Sequence, residues 1–140
     1  MLKISDAVNL GFHAMLLLAA NKTGKEISVQ DLATRLDVSD NHLSKVMQRL
    51  AKSGVVKSKR GPKGGFYLAK APADIRLIDI YETIEGPLPK ETCLLKKPIC
   101  NGTCCLLGSL LTDMQKQIRT HLTGTTLADI IQRMSCEGTV

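Results

Sequence analysis

Two different periodicities stand back to back between residues 39 and 68, and few folds accommodate both. Over residues 39–53, Leu43, Val46, Met47 and Leu50 recur at the i, i+3, i+4, i+7 spacing of a helix buried on one face. Ser39 suits its N-cap and Gly54 its stop. Residues 55–60 and 66–68 then read as strands joined by the turn Gly61-Pro-Lys-Gly-Gly65. Upstream, Ser28-Val-Gln-Asp31 has the form of a capping box with Asp in the Glu position, and it opens a short helix with Leu32, Ala33 and Leu36 on its apolar face. Asp37-Val-Ser39 is a tight turn. Helix, tight turn, helix and a Gly-tipped hairpin make a winged helix-turn-helix.

The charge agrees with that reading. Between Asn41 and Ala73 lie eight basic residues (Lys45, Arg49, Lys52, Lys57, Lys59, Arg60, Lys63 and Lys70) and no acidic one. Residues 1–70 hold twelve Lys/Arg against five Asp/Glu, whereas residues 71–140 hold seven against eight, so the net +6 sits in the first half. Such a footprint suits phosphate. Near the start of the reading helix, Asn41, His42, Ser44 and Lys45, with Ser39, offer groups that meet base edges, and Asn reads adenine bidentately. Arg60 and Lys63 on the wing suit phosphate or minor-groove contact, and Gly61, Gly64 and Gly65 allow close backbone approach. The bland alternative is a solvated basic face on a small helical domain. It leaves the coincidence of charge, period and Gly-rich turn unexplained.

The remaining chain is mainly helical. Residues 4–20, with Val8, Phe12, Met15, Leu16 and Ala19, read as an opening helix, nearly all apolar in its second half and closed by Asn21-Lys-Thr-Gly24. The apolar run at residues 14–20 is far short of the roughly 20 residues a membrane helix needs. No basic segment precedes it as in a secretory signal, which points to the cytoplasm. Residues 75–84 read as an amphipathic helix stopped by Gly86-Pro-Leu-Pro89, and residues 90–103 keep no period. A long helix is expected from Cys104, capped by Thr103, to about Leu122, with Leu107, Leu110, Leu111, Met114 and Ile118 on one stripe that needs a partner surface. Residues 126–134 form a closing helix and residues 135–140 a loose tail.

Four of the five cysteines, Cys93, Cys100, Cys104 and Cys105, fall within thirteen residues of that loop. In the cytoplasm such clusters serve as metal ligands or redox sensors more often than as structural disulfides. Pro98 and Asn101-Gly102 let the loop fold back so that several sulfurs converge on iron–sulfur or zinc. At a helix N-terminus the dipole would favour the thiolate of Cys104 and Cys105. Neighbouring Cα atoms lie about 3.8 Å apart, too close for a relaxed disulfide at about 4.4–6.8 Å. On a helix the two would point about 100° apart, so one of them serves the centre. Small buried hydrophobes are the plain alternative. Cys136 is a bystander, and His13 and His121 are ordinary histidines. No His or Asp stands at telling spacing near the thiols, so a cysteine-nucleophile enzyme has little support.

Several strings together resemble the Rrf-type winged-helix regulators, a family with IscR-like, NsrR-like and CymR-like branches. They are Ile27-Ser-Val-Gln-Asp-Leu-Ala33, Val38-Ser-Asp-Asn-His-Leu-Ser-Lys45, Leu50-Ala-Lys-Ser-Gly-Val-Val56, Arg60-Gly-Pro-Lys-Gly-Gly-Phe-Tyr-Leu68, the cysteine loop and Thr126-Leu-Ala-Asp129. The resemblance implies a homodimeric transcription regulator, in most readings a repressor, paired through the long helix on a dyad-symmetric operator in double-stranded DNA. It also implies that Cys93, Cys100 and Cys105 hold an iron–sulfur cluster, 2Fe–2S or 4Fe–4S. Gly108 stands where IscR-like members have a His ligand, and Asn9 where NsrR-like members have an Asp. The fourth ligand is then Cys104, Asp6 of a second copy or an exogenous molecule. Asn41-His42 brings the reading helix nearest the NsrR-like branch, which implies nitric oxide or an oxidant as signal; the CymR-like branch implies a cluster-free thiol switch. The expected division is residues 1–85 for DNA binding, 86–105 for sensing, and 106–140 for dimerisation and the closing helix.

Overall fold

The computed structural model describes residues 3–90, 93–101 and 104–138. Helix α1 (Asp6–Ala20) runs through the centre of the molecule and packs against most of the other elements. Its Val8, Ala14 and Met15 are fully buried. Ser5 caps it, accepting a hydrogen bond from the Val8 N–H at 3.3 Å. Helices α2 (Val29–Leu36) and α3 (Asp40–Ser53) begin at Ser28 and Ser39, whose hydroxyls accept from Asp31 N at 3.1 Å and His42 N at 3.3 Å. Each cap satisfies an N–H that the helix itself leaves without a partner. The turn between the two helices puts Asp37 in the left-handed region at φ 53°. Leu32, Leu43, Met47 and Leu50 form a fully buried seam with α1.

The wing consists of antiparallel strands β1 (Val56–Lys59) and β2 (Gly65–Leu68), with Val56 opposite Leu68 and Lys59 opposite Gly65. Its inner edge is anchored upstream by paired backbone bonds, Ile27 N to Phe66 O at 3.0 Å and Phe66 N to Ile27 O at 2.8 Å. The helix expected over residues 75–84 forms, but it starts two residues later. A short 3-10 turn (Pro72–Asp74) comes first, then Arg76 in extended conformation, and α4 (Leu77–Glu85) only after it. The interruption has a tertiary cause. Leu77 N donates to Thr125 O and Leu127 N to Ile75 O, both at 3.0 Å, so this segment is spliced to the C-terminal part of the chain.

Helix α5 (Leu110–Gly124) starts six residues later than the stripe predicts. Gly108 adopts φ 56° and its N–H donates to Cys105 O at 3.0 Å, making a turn that cannot continue as helix. Ser109 precedes α5 without capping it; its hydroxyl donates to the Asp113 carboxylate at 2.8 Å. The expected cap Thr103 lies outside the described residues. Helix α6 (Leu127–Cys136) opens with a complete capping box between Thr126 and Asp129 and returns to α1, with Leu127 fully buried. Ser135 and Cys136 therefore belong to its last turn and not to a loose tail. Six helices and a two-stranded antiparallel sheet make up the regular structure of the described residues. None of these helices is long and apolar enough to cross a membrane.

Candidate nucleic-acid interface and thiol site

Burial sorts α3 into two faces. Leu43, Val46, Met47 and Leu50 point into the core, while Asn41, His42, Lys45 and Gln48 are exposed and Ser44 is half-buried. Asn41, Lys45 and Gln48 follow one another at i+4 and i+3, so one exposed strip carries an amide, an ammonium and a second amide. Gln48 escaped the sequence reading, though its spacing from Lys45 was visible there. Ser39 is exposed, with its hydroxyl engaged as cap.

Not every basic residue of the footprint is free for phosphate. Arg49 donates from Nη1 to the Ile84 carbonyl at 3.1 Å, tying α3 to the last turn of α4. Lys59 pairs with Glu26 at 3.4 Å. The Glu26 carboxyl is held below its ordinary pKa, first by a backbone hydrogen bond, with desolvation working against this and Lys59 adding to it. Arg60 and Lys63 stand exposed at the wing tip with no partner among the described residues. Gly64 and Gly65 spend their missing Cβ atoms inside the protein. A Cβ on Gly65 would lie 2.5 Å from the Ile27 carbonyl carbon and 2.8 Å from Ser28 N. One on Gly64 would lie 3.0 Å from the Gly61 oxygen and would overlap the Lys59 carbonyl.

The second site lies between α4 and α5. None of the five cysteines is paired in a disulfide; Cys93, Cys100 and Cys105 are half-buried, Cys104 and Cys136 exposed. Cys93, Cys100, Cys104 and Cys105 line one hollow of about 460 Å³, otherwise walled by leucines and Ile99. Among the described residues no His, Asp or Glu lines it, and Asp6, Asn9 and Gly108 are not part of its wall. Among the described residues, no three potential ligands are drawn closely enough together to hold a metal ion. Because α5 begins only at Leu110, neither Cys104 nor Cys105 sits at a helix N-terminus, and the expected dipole effect does not apply to them. Soft sulfur donors around an apolar hollow nonetheless fit iron–sulfur or zinc in kind, and the described residues that carry them form no helix or strand. His13 donates from Nδ1 to the Asn9 carbonyl at 2.8 Å, and His121 lines a separate groove on α5.

The root of this loop is tied on both sides. Leu88 is buried, and its N–H donates to Glu82 Oε1 at 3.4 Å. Arg119 of α5 donates to the Leu88 and Pro89 carbonyls at 3.5 and 3.4 Å, and Gln115 donates to Pro89 O as well. With Arg49 on Ile84, hydrogen bonds frame the segment between the reading helix and α5.

A helix-turn-helix with a basic wing and an exposed polar strip on its second helix defines a winged-helix DNA-binding protein. The family model described as Iron-dependent Transcriptional regulator, Rrf2, matches residues 4–133, and the chain belongs to this family. It is a transcriptional regulator of the helix-turn-helix type and not an enzyme. A relative from Aquifex aeolicus (strain VF5), provisionally described as an HTH-type transcriptional regulator, is 35% identical over 130 residues, covering 91% of this chain and 90% of its own. Among solved structures, CymR (YrzC), the global cysteine regulator of B. subtilis, is 29% identical with a TM-score of 0.77, covering 95% of this chain and 98% of its own. T. potens IscR is 31% identical with a TM-score of 0.72, covering 94% and 88%.

Proposed function

We propose that this protein is a homodimeric cytoplasmic repressor whose grip on its operator depends on an iron–sulfur cluster held by Cys93, Cys100 and Cys105. The observation that carries the reading is the shared thiol-lined hollow whose root is fastened to both α5 and α4. Residues 1–85 read DNA, residues 86–105 sense, and residues 106–140 pair the subunits and close the core. The exposed Leu110 and Met114, beside half-buried Leu107, Leu111 and Ile118, form the stripe that a second copy of α5 would cover. When bound, the cluster supplies an iron centre reactive toward nitric oxide and oxidants; the NsrR-like reading helix favours nitric oxide.

The chain's own residues convert occupancy into geometry. Gathering the thiols pulls on residues 86–90, which Arg119 and Gln115 hold against α5, just beyond the last turn of α4 that Arg49 ties to α3 through the Ile84 carbonyl. Two reading helices must enter major grooves about 34–36 Å apart on one face of the duplex. A small change in α5 pairing therefore alters whether both fit. At one fixed ionic strength, apo and loaded protein are expected to differ at least about tenfold in affinity for the same operator, equivalent to about 1.4 kcal/mol. Equal affinities would sink the reading.

Two variants separate the roles. Asn41→Ala should cost about 1–3 kcal/mol on the preferred operator and relax the base preference at one position. Arg60→Ala with Lys63→Ala should weaken binding to all sequences alike and flatten the slope of log affinity against log salt by about 2. Both are read by fluorescence anisotropy across a salt series. Arg119→Ala should leave binding of the loaded protein within a few-fold while shrinking the difference between apo and loaded forms, because its hydrogen bonds join the loop root to α5.

A second reading has its own support. Four free thiols share one hollow, and the structural relatives include the cysteine regulator CymR. Here two of the thiols would give two electrons and two protons to a peroxide, which leaves as water, and the new disulfide would reshape the loop without metal. Mass analysis after mild oxidation distinguishes the two: a reversible loss of two hydrogens with no iron bound favours the switch.

A further inference from the structure

We infer that Cys104 is a fourth donor, so that Cys93, Cys100, Cys104 and Cys105 together form a four-thiolate metal site within a single chain. The inference rests on the thiol hollow having a metal centre, and it names the ligand that the three-cysteine reading leaves open.

On a helix, adjacent cysteines point about 100° apart and compete for one centre. Here α5 begins at Leu110, five residues beyond Cys105, and Cys104 lies on a bend. In non-helical backbone the 100° divergence of neighbouring helical side chains does not apply. Both residues line the same hollow. Cys105, whose carbonyl accepts from Gly108 N at 3.0 Å, is half-buried, and Cys104 is exposed, so a turn of its side chain toward the hollow would displace no core residue.

Among the described residues, the rest of the wall offers no competing donor: it is aliphatic, with Leu95, Ile99, Leu107 and Leu111 among them. Among the described residues of the wall, Cys104 is the donor left for the fourth position. Charge is also accommodated. Four thiolates around one centre leave net negative charge, and Lys96 and Lys97 stand exposed on the short segment between Cys93 and Cys100.

Co2+ is a direct probe, because the intensity of its sulfur-to-cobalt charge-transfer absorption counts thiolate ligands and its ligand-field bands report tetrahedral geometry. Reduced full-length protein, titrated anaerobically with Co2+, is expected to bind one ion per chain with a tetrahedral four-thiolate spectrum. Cys104→Ala should reduce the charge-transfer intensity in proportion to the lost sulfur. It should also weaken Co2+ binding by about tenfold or more, since even loss of a residue supporting a ligand costs that much. Cys136→Ala should change neither. Circular dichroism checks that the exposed substitution leaves the fold intact. An unchanged spectrum and affinity in Cys104→Ala would overturn the inference, as would half an ion per chain, which would mean a site shared between copies.

The cluster reading can fail separately. If wild type binds Co2+ through four thiolates but takes up no iron and sulfide, the four-thiol site stands and the cluster falls. If the cluster assembles with identical absorption and chelator resistance in Cys104→Ala, the cluster stands and Cys104 is not its ligand.

Discussion

On the proposed cluster reading, Cys93→Ala, Cys100→Ala and Cys105→Ala should each yield colourless protein from anaerobic purification where wild type should be brown, with operator affinity fixed at the apo value. The effect should be large because donors around one centre are not additive. A cluster that loses one of its anchoring thiolates loses the closed loop conformation as well, and binding and ordering are one free-energy change. Wild-type affinity should shift at least about tenfold with loading, while the three variants should show no shift. Stability of the apo chain should scarcely change. The three side chains are only half-buried and lie on a segment with no helix or strand, so nothing in the core collapses around the missing sulfur. Iron and sulfide per chain, an absorption spectrum and a thermal melt on the same samples check all parts. A brown variant with normal iron content would remove that cysteine from the site, and a colourless zinc-bearing wild type would mean a structural metal.

Gly65→Ala should destabilise the fold more than any wing-tip charge change. The added carbon would meet the Ile27 carbonyl, which is backbone held by the paired bonds to Phe66, so neither side can rotate away. Overpacking of this kind costs about 3 kcal/mol, or about 10 °C in melting temperature for a chain of this size. Specific DNA binding should weaken as well, because the anchor sets the angle at which the wing presents Arg60 and Lys63. Gly124→Ala is the control: a Cβ there meets nothing within 4 Å, so the melt should be unchanged or slightly raised. A Gly65→Ala protein that melts with wild type would show that the wing anchor yields freely.

This glycine pair marks a boundary in what the linear chain discloses. The string Gly61-Pro-Lys-Gly-Gly65 reads correctly as a turn, yet it suggests approach to DNA, whereas Gly64 and Gly65 approach the protein's own Lys59 and Ile27. The basic footprint is similar. Eight cations are visible between Asn41 and Ala73, but that Arg49 is engaged with Ile84, 35 residues away, is not a property of any local window. The cysteine loop is the mirror case. Its shared hollow agrees with the clustering in sequence, but the expected helix start at Cys104 fails because a left-handed Gly108 intervenes.

What the sequence determined by itself were the elements whose energetics are local. Ser28, Ser39 and Thr126 cap helices through N–H groups three residues away, and the stripe on α3 turns Leu43 to Leu50 inward wherever that helix is placed. Period and capping depend on near neighbours, so they survive translation into one dimension. Tertiary structure decided the rest. The splice of Ile75 and Leu77 to residues 125–127, the tie of Arg49 to Ile84 and the return of α6 to α1 all join residues far apart in the chain. Those contacts form only when the aliphatic core has brought their backbones together, and no short window of sequence contains both partners.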